Sequence, residues 1–160
     1  MASRALDEVS VETAQHVARG VARHLWRNGI VALTEVPLGN GRRADVVGLG
    51  PTGQITLVEI KVSLADLRGD GKWPEYLDYC DRFFWAVPPG LPRDDFADPW
   101  FQLERAGLIV ADRWDGTELC PAAVVPLGGA RRKAETLRFA RRAAQRLLWL
   151  GDPGTAESPS

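Results

Sequence analysis

Three charged residues stand inside the otherwise apolar segments of RADVVGLGPTGQITLVEIKVS, residues 43–63. Asp45 precedes Val46 and Val47, and Glu59 and Lys61 flank Ile60. Placing ions on a buried sheet costs desolvation free energy unless they pair or bind something. Side chains alternate across a strand, so Glu59 and Lys61 share one face while Val58 and Ile60 point to the other. A Glu–Lys pair can relieve that cost by itself. Asp45 adds a second carboxylate within reach of Glu59, and two carboxylates brought together repel. A divalent cation removes the repulsion, and oxygen ligands suit Mg2+ or Mn2+. Such a metal can activate water and hold a phosphate oxygen, with Lys61 beside it to steady the attack. Asp45, Glu59 and Lys61 are therefore parts for hydrolysing a phosphodiester, provided that they share one face.

The elements that must position them follow from pattern. Ser10 is a candidate N-cap and Gly29 a stop for a helix over 11–28, with Ala14, Val17, Val21 and Leu25 as its apolar stripe. Glu12, His16, Arg19, Arg23 and Arg27 fall opposite that stripe. Strands are predicted over 30–38, 42–49 and 54–62, joined by turns at Gly39-Asn40-Gly41 and Pro51-Thr52-Gly53. A three-residue loop at 39–41 places Glu35 opposite Asp45, making Glu35 a further metal ligand. A two-residue Asn40–Gly41 turn places Val36 there instead, and the sequence permits both registers. Past Ser63 the pattern turns helical and is broken by Gly69, Gly71 and Pro74. Short strands follow at 83–88 and 107–114, with a short helix near 99–105 between them. Residues 118–127 read as an edge strand, and 132–150 as the last helix. The expectation is one domain over 1–150 with a flexible tail over 151–160. Its fold class is α/β, a central mixed sheet flanked by helices.

The net charge of −1 hides an asymmetry. Residues 130–150 carry seven basic side chains against the single acid Glu135, leaving 13 basic and 20 acidic residues elsewhere. In the last helix Leu137, Ala140, Ala144, Leu147 and Leu148 form an apolar stripe, and Arg138, Arg141, Arg142 and Arg146 lie away from it. A regular basic face on an acidic body fits sequence-independent contact with a DNA backbone. Arg42, Arg43, Lys72 and Tyr76 are additional candidates for phosphate contact near the charged strands, although each also suits an ordinary packing or solvated role. Cys80 and Cys120 are isolated, with no metal-ligand spacing, and read as thiols of a reducing compartment. No run is apolar enough for a membrane span, so a cytoplasmic location is expected.

An α–β–β–β–α–β order with Asp in the second strand and Glu-x-Lys in the third resembles the PD-(D/E)xK nuclease superfamily, with its restriction-endonuclease-like core. That resemblance implies that Asp45 and Glu59 bind Mg2+, that Lys61 assists attack, and that Glu12 on the first helix completes the site. Ala44 stands where the superfamily often has Pro. A more extensive resemblance lies in GRRADVVGL, VEIKVSLADLRGDGKWPEYLDYCDRFFWAVP, GLIVAD and LRFARRAAQRLLWL, which are similar to the MmcB family of bacterial DNA repair proteins. This implies a role in DNA repair, with DNA and other repair proteins as the partners to look for. The activity expected is structure-dependent, sequence-independent endonucleolytic cleavage. The alternative is a DNA-binding accessory protein that keeps a nuclease-like fold without catalysis. No interface that would set the oligomeric state is readable.

Overall fold

The computed structural model describes the backbone of residues 2–69 and 71–156, and the side chains of 14–67 and 71–156. It opens with helix α1, Ala2–Arg27, which starts earlier than the Ser10 cap predicted. Strands β1 (Val31–Pro37), β2 (Arg43–Leu49) and β3 (Ile55–Ile60) follow as a meander. A short helix α2 (Leu64–Gly69) and a 3-10 helix (Trp73–Tyr79) lead to β4, Arg82–Val87. Two more 3-10 turns, Asp94–Ala97 and Pro99–Phe101, lead to β5, Ala106–Ala111. Strand β6 (Gly116–Cys120) and helix α3 (Gly129–Gly151) complete the main elements. Within the segment expected as a tail, Pro153–Ala156 form a final 3-10 turn. Trp149 Nε1–H donates to the Thr155 carbonyl at 3.1 Å and ties that turn back to α3.

One six-stranded sheet runs in the order β1-β2-β3-β4-β5-β6. Pairing is antiparallel within β1–β2–β3, parallel for β3–β4–β5 and antiparallel for β5–β6. This is the mixed α/β sheet flanked by helices that the pattern implied. The parallel centre needs two crossovers. Both lie on one face, as a constant right-handed connection requires when strands are added in one direction.

Each face therefore has its own core. On the α1 face, Val17, Val21 and Leu25 of the helix pack on Val46, Val58, Phe84 and Ile109. On the far face, Leu57, Phe83, Trp85 and Leu108 of the sheet meet Trp73, Tyr76, Phe96 and Phe101 from the crossovers and Phe139 of α3. Burying each such large side chain is worth roughly 1.5–3 kcal/mol. Two glycines shape the α1 side. Gly29, at φ 76°, ends the helix in the left-handed conformation that a side chain resists. At Gly20 a Cβ atom would lie 1.9 Å from the Asp112 carbonyl oxygen and 2.6 Å from that of Asp115, so only glycine lets α1 meet the β5–β6 turn.

The first hairpin has the symmetric register. Thr34 pairs with Val46 and Val36 with Ala44, so Glu35 lies across from Asp45. Leu38 N–H donates to Arg42 O at 2.7 Å, closing the three-residue turn that Asn40 centres.

Candidate nucleic-acid interface

Strict alternation would set Asp45 on the same face as Val47 and Glu59. It does not hold at this point. Leu33 and Val36, three apart in β1, both belong to the far-face core, and so do Ala44 and Val47 in β2. The alternation slips at Glu35 and at Asp45, and Glu35 has a left-handed φ of 53°. Asp45 and Glu35 consequently line a groove of about 500 Å3 on the α1 face, with Arg19, Thr34, Ile60 and Asp66. The β2–β3 ladder stops at Val46–Val58. Beyond it Asp45 Oδ2 accepts a 2.7 Å hydrogen bond from the Ile60 N–H, replacing a backbone partner with a side chain.

Glu59 and Lys61 take the other face. They alternate with Val58 and Ile60, which belong to the α1-face core, and follow Leu57 of the far-face core. Glu59 pairs with Trp85 in the β3–β4 register, and Lys61 Nζ lies 6.0 Å from the Trp85 ring centroid. Both are nearly enclosed, at 8 % and 7 % exposure. The expectation that Asp45, Glu59 and Lys61 share one face is thus corrected, and the slip at residue 45 is the reason. Oxygen ligands must converge on one point to hold Mg2+. An Asp45–Glu59 pair split between two faces does not fit such an ion. Among the described residues no three His, Cys, Asp or Glu side chains stand together as a metal cluster. Of the predicted ligands, Glu35 and Asp45 do share a groove, and Asp66 lines it with them. Glu12 lies in α1, and its side chain falls outside those described.

The predicted phosphate contacts divide similarly. Tyr76 is buried, and its hydroxyl donates to the Arg43 carbonyl at 3.2 Å, so it packs instead of facing solvent. Arg42 is held by Glu75 at 2.6 Å and lies over the Tyr76 ring. Arg43 is exposed, 3.8 Å from Glu35. Lys72 is exposed ahead of the 3-10 helix.

Helix α3 docks differently from its apolar stripe. Leu137, Leu147 and Leu148 are exposed, while Glu135 and Phe139 are buried. The docking face carries arginines with specific partners. Arg132 forms a two-pronged pair with Asp81, whose carboxylate also accepts from the Ile55 N–H at 2.7 Å and the Leu127 N–H at 2.9 Å. Burial pushes the Asp81 carboxyl up, but Arg132 and those amides outweigh it and hold the group below the usual carboxylate range. Arg146 donates to the carbonyls of Thr34 and Glu35, at the slip in β1. Asp81 and Arg146 were not anticipated as structural anchors; an isolated Asp before a strand and one Arg among seven basic residues carry no local signal. The predicted Arg138, Arg141 and Arg142 do come together. With Gln145 they line a groove of about 380 Å3 between α3 and the end of β1, floored by Val36 and Pro37.

A family model described as DNA repair protein MmcB-like matches residues 2–154. The chain belongs to the MmcB-like family. Among solved structures, the SPO1766 protein of unknown function from Silicibacter pomeroyi is similar to it, with 42% identity and a TM-score of 0.81. That match covers 89% of this chain and 93% of the other. No curated protein matches. The family description associates MmcB-like proteins with DNA repair, and no helix among the described residues is long and apolar enough to cross a membrane.

Proposed function

We propose that this MmcB-like protein serves DNA repair by binding DNA through its backbone, as an accessory protein, and does not hydrolyse DNA at a joint Asp45–Glu59–Lys61 centre. The observation that carries this reading is the groove where Arg138, Arg141, Arg142 and Gln145 line one wall. Guanidinium groups in a row suit phosphates repeated along a strand, and they read no base. The Arg138 guanidinium lies 3.4 Å from the buried Glu135 carboxylate, which orients it at the groove. Binding measured by fluorescence anisotropy should weaken steeply with salt. Replacing Arg138, Arg141 and Arg142 with Ala should lower the slope of log affinity against log salt by about one for each phosphate left without its arginine. An unchanged slope would sink the assignment.

A metal-dependent endonuclease is the second reading. It is favoured by one observation, the left-handed Glu35 opposite Asp45. Such backbone strain, roughly 1–3 kcal/mol, gathers at functional sites. Glu35 and Asp45, with Asp66 in the same groove, offer oxygen donors on one side of the sheet, where Mg2+ or Mn2+ would supply a Lewis acid. Incubating the protein with branched, nicked and single-stranded DNA plus either metal decides between the readings. Intact DNA supports the accessory role. Cleavage abolished by Asp45→Ala together with either Glu35→Ala or Lys61→Ala would overturn it.

A further inference from the structure

Trp114 stands at the tip of the β5–β6 connection and is 63 % exposed. The turn that carries it is unusually well held. Asp112 Oδ1 accepts from the N–H groups of Trp114 at 2.8 Å and Asp115 at 3.0 Å, and Asp112 N–H donates to the Asp115 carbonyl at 2.9 Å. Gly20 of α1 lies directly against the Asp112 and Asp115 carbonyls, and Arg27 pairs with Asp115. A rigid turn that keeps a large indole in water forgoes the free energy of burying it. The Arg19 guanidinium lies over the indole, 5.6 Å from the ring centroid. Arg19, Arg23 and Trp26 are spaced i, i+4 and i+7, so they form one exposed stripe of α1 beside that turn. Arg19 also lines the groove that holds Glu35 and Asp45.

We propose that Trp114, backed by Arg19, is a stacking platform for an unpaired nucleobase, making single-stranded or locally opened DNA the ligand of this face. The proposal rests on the reading that the protein binds DNA. An indole carried on a held turn, with Arg19 over one face, offers a π surface on which any base can stack, and arginines alongside meet the phosphates. Bases within a duplex are already stacked on one another, so the platform distinguishes unpaired from paired DNA. Position supports the same ligand, because Arg19 joins the platform to the groove on the α1 face.

The test compares a short oligo(dT), the same length of abasic strand and a duplex of that length, by anisotropy at one salt concentration. Trp114→Ala should weaken oligo(dT) binding about tenfold and change the abasic strand and the duplex less than about twofold. Trp114→Phe, which keeps a stacking face, should stay within about threefold of the parent protein. Trp114 is exposed, so circular dichroism should show both variants folded. Equal loss on all three ligands, or no loss on oligo(dT) while binding remains sensitive to the α3 arginines, would overturn the platform alone. No binding of any DNA by the parent protein would overturn both the platform and the backbone reading.

Discussion

Asp81 ties β3, the segment ahead of α3 and α3 itself to one carboxylate. Its carboxylate receives Arg132 of α3, the Ile55 N–H of β3 and the Leu127 N–H ahead of α3. Its main chain receives the Val125 N–H at 2.9 Å. Asp81→Ala leaves the Ile55 and Leu127 N–H groups without their acceptor and Arg132 without its partner, and should cost about 2–3 kcal/mol in a denaturant titration. The sign of the pH effect follows from a carboxyl held below its unfolded value of about 3.9. Its contribution is complete above that value and is lost as pH falls through the lower folded one. The melting temperature of the parent protein should therefore fall more steeply than that of Asp81→Asn as pH drops below about 4. Cys80 behaves in the opposite sense. Burial pushes its thiol up to about 12, so an alkylating reagent at mildly alkaline pH should label Cys120 well before Cys80.

At the scale of elements, the seat of α1 on the β5–β6 turn is the tightest fit. Substituting Gly20→Ala forces a methyl group toward two backbone carbonyls that cannot yield as a flexible side chain would. A loss of about 1–3 kcal/mol is expected by chemical denaturation, with faster amide exchange confined to residues around the turn. Retention of full stability would mean that the turn is loosely held. Much of this layout was legible in the sequence. Alternation and turn residues gave β1, β2 and β3, and the apolar stripe of α1 packs as the pattern implied. The symmetric register was one of two that the Gly39-Asn40-Gly41 turn allowed. Side-chain direction at Asp45 was not legible, because a strand pattern assumes unbroken alternation and nothing local announces the left-handed Glu35. The docking face of α3 departs from its apolar stripe for another reason. Hydrophobicity ranks leucine above arginine, yet Arg132 and Arg146 find an enclosed carboxylate and two carbonyls, and those partners outweigh the transfer of exposed leucines. Arg138, Arg141 and Arg142 were legible because their i, i+3 and i+4 spacing sets them on one helix face whatever the docking, although the same period also grouped Arg146 with them.

Across the whole molecule, the two grooves sit on separate surfaces. The arginine groove flanks α3, while the carboxylate groove and the exposed indole lie on the side of α1. A strand bound at one surface and opened at the other would have to pass around the β1 edge, where Arg146 joins α3 to the slip at Glu35. Substituting Arg146→Ala should thus loosen both surfaces together. The expected outcome is weaker binding of duplex and single-stranded DNA alike, by several-fold in anisotropy, with the fold retained. Weakening on one ligand alone would show that the surfaces act independently.

The crossovers on the far face hold a further property, an optical one. Trp73 lies 4.8 Å from Trp85 by ring centroids, and Trp100 lies 6.0 Å from each. Transition dipoles that close and that fixed in angle couple, so the three indoles absorb polarised light as a unit. Trp26 and Trp114 stand apart from that cluster, far more exposed. One sample should then report two things at once: near-ultraviolet ellipticity follows the packing of the parallel strands, and the part of the fluorescence lost in Trp114→Phe follows what settles on the face of α1.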